Sequence, residues 1–118
     1  MATAGTYNFT MDQGSDLIKK FTWKDSDLVV IDLTGWTARM QIRKSISSVD
    51  ALLELTTENG GIALGGVLGT ITVTITDVQS AALTPATLRY DLELIAPITG
   101  LITRLIMGTV TNRPEVTR

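Results

Sequence analysis

The sequence predicts an all-β fold: an antiparallel β-sandwich of about nine short strands, with one short helix near residues 77–83. Three observations carry this prediction. Apolar and polar residues alternate with a period of two over long stretches, the pattern of a strand with one buried face. Threonine, β-branched and suited to a half-exposed pleated surface, fills about one position in six. Gly, Pro and Asn turn signals recur at the spacing of a sandwich or small barrel.

Taken in order, Tyr7, Phe9 and Met11 alternate with Thr6, Asn8 and Thr10 and predict a first strand. Residues 17–24, with Leu17, Phe21 and Trp23, predict a second. Residues 28–33 form a short apolar run bounded by Asp27 and Gly35, read as another strand. Residues 36–43 then place Trp36, Ala38, Met40 and Ile42 inward, with Thr37, Arg39, Gln41 and Arg43 outward. Residues 51–57 and 61–64 flank Asn59-Gly60-Gly61, a hairpin signal because Asn and Gly tolerate positive φ. Residues 69–76 give the strictest alternation, with Ile71, Val73 and Ile75 on one side and threonines on the other.

A helix is expected from Thr76, a capping residue, to Leu83, because Thr84 precedes Pro85 and is pushed out of the helical region. Leu88, Tyr90, Leu92 and Leu94 then face inward, and Arg89, Asp91 and Glu93 outward. Pro97, Thr99 and Gly100 mark the turn into a last strand, residues 101–111, which is apolar on both faces. Such a strand is either central or partly covered by a partner. The whole chain, 1–118, reads as one domain, with loose ends at about 1–5 and 112–118.

Composition narrows the chemistry. The chain has no cysteine and no histidine. This removes disulfides, thiolate catalysis and Cys-containing zinc sites, together with Ser-His-Asp and Cys-His mechanisms. Ten Lys/Arg against twelve Asp/Glu give a net charge of −2, without the basic excess typical of a nucleic-acid partner. No apolar run approaches the ~20 residues of a membrane helix, and the N-terminus lacks the pattern of a secretory signal. A chain made in the cytosol, with neither nucleic acid nor membrane as partner, is expected. Charged residues are only 19% of the chain, below the usual quarter, so the surface is weakly charged and tolerant of association.

Each candidate site has a simpler structural reading. Asp25-Ser26-Asp27 with Asp32 has a spacing seen around hard cations, but lacks the EF-hand glycine and glutamate and reads as a turn. Asp91 and Glu93 share one sheet face, as a glycosidase pair would, yet cross-strand pairing with Arg104 explains them more simply. Gly60-Gly61 and Gly65-Gly66 lead into no Gly-Lys-Ser/Thr motif and read as turns. Tyr7, Trp23, Trp36 and Tyr90 fall on apolar sides and read as core, Tyr7 being the expected exception. No catalytic, cofactor or metal residue is assigned, and no enzymatic activity is expected. Arg39, Gln41, Arg43, Arg89 and Arg104, outward by alternation, are the first candidates for an interface.

The order of short motifs carries a resemblance. Asp32-Leu33-Thr34-Gly35-Trp36 leads to Gln41-Ile42-Arg43, Leu55-Thr56, Asn59-Gly60-Gly61-Ile62 and Gly69-Thr70-Ile71. Ser80-Ala81-Ala82-Leu83 and Tyr90-Asp91-Leu92-Glu93-Leu94 follow. Arg104-Leu105-Ile106-Met107-Gly108 and Pro114-Glu115-Val116-Thr117-Arg118 close the series. From about Phe9 onward this succession resembles small virion proteins of tailed bacteriophages, in particular the N-terminal attachment domain of baseplate upper proteins and tail-fibre anchoring proteins. The resemblance implies a β-sandwich that docks onto a tail, baseplate or neck and attaches fibres or spikes. It implies no cofactor, other virion proteins as partners, a homo-oligomer within the particle, and a virion location after synthesis in the host cytoplasm. In that family the domain usually heads a longer fibre or spike chain, so a sequence ending at Arg118 is expected to be a standalone adaptor. A capsid decoration protein and a carbohydrate-binding module are the alternative expectations.

Overall fold

The computed structural model describes residues 5–83 and 85–114 of the chain. Two β-sheets pack face to face around one core, with one short α-helix. The nine strands are β1 (Gly5–Thr6), β2 (Phe9–Asp12), β3 (Leu17–Thr22), β4 (Thr37–Arg43), β5 (Leu53–Thr56), β6 (Ile62–Leu64), β7 (Thr70–Ile75), β8 (Thr87–Ile95) and β9 (Ile102–Arg113). The larger sheet runs β1-β9-β8-β4-β5, with β2 also on β9, and the smaller runs β3-β7-β6.

The alternating segments form strands in the expected phase. In β4, Ala38, Met40 and Ile42 are buried, and in β8 Leu88, Tyr90, Leu92 and Leu94 are. Ile71, Val73 and Ile75 of β7 meet them from the other sheet side of the core. Full burial of each such side chain is worth about 1.5–3 kcal/mol, so this interleaved layer is the main stabilising element.

Helix α1 (Asp77–Ala82) has the capping box its sequence encodes: the Gln79 N–H donates to Thr76 Oγ1, and Gln79 Oε1 accepts from the Thr76 N–H. Leu83 is already extended at the C-cap, ending the helix as expected, while Thr84 lies outside the described residues. Ser80, fully buried, ties the helix to the β2–β3 turn. Its hydroxyl donates to the Ser15 carbonyl at 2.8 Å and accepts from the Gly14 N–H at 3.0 Å.

Several expectations are corrected. The pairing is not wholly antiparallel, because β1 and β2 lie parallel to β9. The Asn59-Gly60-Gly61 turn does not close a hairpin. β5 pairs with β4 and β6 with β7, so the turn carries the chain from one sheet to the other. Asn59 fastens it locally, its Oδ1 accepting from the Thr56 and Gly61 N–H groups and its Nδ2 donating to the Glu54 carbonyl. Residues 28–33 form no strand, only an isolated bridge between Lys24 and Val30, and β3 ends at Thr22.

The C-terminal segment is not loose from 112: Asn112 and Arg113 complete β9, and Asn112 is 2% exposed, donating to the Leu83 carbonyl. At the other end Gly5 belongs to β1, while residues 1–4 and 115–118 lie outside the described residues. Finally, the two-faced apolar pattern of the last strand has a local cause. A bulge in β9 opposite the Leu92/Glu93 step lets both Leu105 and Ile106 lean on the core, which reverses the phase of the strand. β9 is also central, between β8 and the N-terminal strands.

Candidate docking interface

Register, not alternation alone, decides which outward side chains become neighbours. On the outer face of the larger sheet, β4, β8 and β9 stack their residues in three rows. Arg39, Glu93 and Arg104 form the first row, Gln41, Asp91 and Met107 the second, and Arg43, Arg89 and Thr109 the third. All five residues singled out from the sequence therefore lie together, lining an open cleft of about 540 Å³. Ile46, from the β4–β5 loop, and Met107 add apolar walls that sequence alternation did not assign to the site.

Four arginines face two carboxylates in this cleft. Arg39 meets Glu93 through Nε at 2.8 Å, and Arg104 meets Asp91 through Nε at 3.2 Å. The expected pairing of Arg104 with the acidic pair is thus present, shared with Arg39. Arg43 is committed elsewhere, its Nη1 donating to the Ser48 and Val49 carbonyls and its Nη2 to Gln41 Oε1 at 2.6 Å. Gln41 in turn donates to Glu54 Oε2 at 2.6 Å. Arg89 stands opposite Arg43 in the ladder, and among the described residues its side chain has no hydrogen bond or ion pair. Like charges directly opposite one another destabilise a sheet, so Arg89 is kept at a structural cost.

Burial and the neighbouring Glu93 carboxylate raise the pKa of Asp91, and Arg104, Arg43 and Arg39 oppose the shift. Both acids are engaged by guanidinium groups. Because each of the two ion pairs is made through Nε, the Nη groups of Arg39 and Arg104 remain available as donors. The cleft can bind an anionic group beside an apolar one.

The other candidates fall elsewhere. Asp25 Oδ1 accepts from the Asp27 and Val29 N–H groups, which is the work of a turn residue. Asp32 accepts from the Thr34 N–H and hydroxyl, and these bonds hold its carboxyl below the ordinary range. Among the described residues no group of three or more Asp or Glu is placed to hold a metal ion.

Trp23 and Trp36 are half-buried against each other, rings 5.4 Å apart and edge-to-face. Tyr7 is 39% exposed, as anticipated, with its ring against Phe9 and Phe21. Tyr90 is buried and donates its hydroxyl hydrogen to the Tyr7 carbonyl at 2.6 Å.

Burial pushes the Tyr90 phenol above its ordinary value. An unfolded tyrosine ionises near pH ~10, so the folded state holds the proton longer. The stability this contributes is full below pH ~10 and is lost as pH rises towards the folded pKa. Urea unfolding over an alkaline pH series is expected to show this decline. Tyr90→Phe should flatten it, while costing about 1 kcal/mol at neutral pH for the lost hydrogen bond.

No family model matches the chain, and no curated protein matches it in sequence.

Proposed function

We propose that this protein is a bacteriophage virion component, a non-catalytic docking or adaptor part of the tail, baseplate or neck that attaches fibres or spikes. The ordered motif set supports the phage reading. The arginine-lined cleft supports the docking reading and is the observation that carries it: cationic donors, one of them unpaired, are gathered with Ile46 and Met107 on the open face of a rigid sheet. Such a surface provides charge for orientation and apolar area for affinity. Its partners in this reading are other virion proteins and further copies of the chain.

Mass spectrometry of purified particles of the encoding phage is expected to detect the protein, and immunogold label should sit at the tail end or neck. Label spread over the head would replace the adaptor role with capsid decoration. Absence from particles would overturn the reading. Arg39→Glu with Arg104→Glu should lower incorporation by at least about tenfold, the change expected from one lost charge contact of ~1.4 kcal/mol. Because these substitutions set like charges opposite Glu93, the thermal melt should fall, whereas Arg39→Gln with Arg104→Gln adds no like charge and should keep the melt while still lowering incorporation.

A further inference from the structure

Residues 23–31 form a projecting finger. The Asp25 N–H donates to the Val29 carbonyl and the Ile31 N–H to the Trp23 carbonyl, both at 2.9 Å, and the Leu28 N–H closes the tip onto the Asp25 carbonyl. Leu28 has φ 63°, the left-handed conformation that such a tight tip ordinarily gives to glycine. A branched apolar side chain is thus held in a costly backbone state, and it is 77% exposed. Asp25 and Asp27 flank it on the finger beside Lys24, Asp32 follows the finger's base, and among the described residues none of the three carboxylates forms an ion pair. The finger presents two carboxylates beside the exposed Leu28 and Val29. The cleft presents surplus guanidinium groups beside Ile46 and Met107. The two surfaces are complementary in charge and in apolarity, and they lie on different parts of the same chain.

We infer that the occupant of the arginine cleft is the 25–30 finger of a second copy of this protein, so that copies associate head to tail. The inference rests on reading the cleft as a docking surface and names its partner. Asp27 at the tip reaches Arg89 and the free Nη groups of Arg39 and Arg104, while Leu28 packs on Ile46 and Met107. Because cleft and finger are different surfaces, the contact is heterologous. It leaves one cleft and one finger free at the ends of a chain of copies, and it terminates only if the rotation between neighbours closes a ring.

Sedimentation velocity on the purified protein over a concentration series tests this. The weight-average mass is expected to rise with concentration and to fall with added salt, since the contact is ionic. Asp27→Arg spoils the finger and spares the cleft, and Arg89→Glu does the reverse. Each variant alone should lose at least about tenfold in association constant. Mixed together they should recover association, because the intact finger of the Arg89→Glu chain still enters the intact cleft of the Asp27→Arg chain and the reversed charges at positions 27 and 89 also match. Leu28→Asn, which suits the left-handed backbone better, should keep or raise the melting temperature while weakening association.

A wild-type protein that stays monomeric throughout overturns the inference, as does a mixture in which no heterodimer forms. If that monomer is nevertheless incorporated into particles through Arg39 and Arg104, the docking reading survives without it. If association behaves as stated but particles lack the protein, the virion reading fails and head-to-tail pairing stands.

Discussion

Gly108→Val is expected to lower the unfolding free energy by about 3 kcal/mol, a large share of the 5–15 kcal/mol typical of a domain. Gly108 lies in β9 opposite Tyr90, where the N-terminal strand is interrupted between β1 and β2. A Cβ there would press on the Tyr7 carbonyl oxygen and come within 2.7 Å of Asn8 Oδ1. Neither atom is free to retreat. The Tyr7 carbonyl accepts the Tyr90 hydroxyl hydrogen, the Tyr7 N–H donates to the Met107 carbonyl, and Asn8 Oδ1 accepts from the Thr109 N–H. Relief of the clash therefore breaks bonds that hold the parallel strand in place. Gly100→Ala is the natural comparison. It has φ 72° with nothing within 4 Å, so only the left-handed penalty of about 1–2 kcal/mol applies. Urea denaturation of both variants, with the slope of the transition unchanged, measures the difference.

Much of this fold was legible because burial acts residue by residue with period two. Met40, Ile71 and Leu92 lie on the core side that their neighbours' polarity demanded, and Thr76 with Gln79 caps α1 by purely local bonds. What local chemistry does not encode is the partner of a strand. Asn59, Gly60 and Gly61 reverse the chain equally well within a sheet or between sheets. The choice is made by Leu55 and Ile62 entering the core from opposite layers, with Leu55 on Met40 and Ile62 on Val73 in register. The parallel pairing of β2 on β9 is likewise a long-range outcome, joining Phe9 to Val110 and Asp12 to Arg113.

The interface was half legible. Alternation placed Arg39, Gln41, Arg43, Arg89 and Arg104 outward, but their assembly into one cleft depended on the β4–β8–β9 register and on the phase reversal at Leu105. Without that bulge Met107 would share the phase of Leu105 and turn to the core. The finger was hidden for a different reason. Leu28, Val29 and Val30 are apolar and β-prone, so they read as strand, and only the positive φ of Leu28 reveals a turn. A leucine flanked by Asp25, Asp27 and Asp32 was the available signal, since a buried strand rarely carries that density of unpaired carboxylates.

Gly69→Val should cost about as much as Gly108→Val and should reach the finger directly. Gly69 has φ 65°, so any side chain carries the left-handed penalty of about 1–2 kcal/mol. Its Cβ would press on Val30 Cγ1 and lie 2.8 Å from the Ile31 carbonyl oxygen and 3.3 Å from that of Trp23. Those three residues are the base of the finger, and the Gly69 carbonyl also accepts the Trp23 N–H at 2.9 Å. Overpacking of this kind adds about 1–3 kcal/mol, and the finger, held by few buried contacts, is the part that yields. Trp23 and Trp36, the two tryptophans of the chain, stack edge-to-face beside this point. Displacement of the finger base should separate their rings and expose Trp23, giving a red-shifted emission from the folded state before any denaturant is added. Gly60→Ala, also at positive φ but with open space around it, should leave the emission unchanged. An unshifted spectrum for a folded Gly69→Val protein would mean that the finger does not take its position from Gly69.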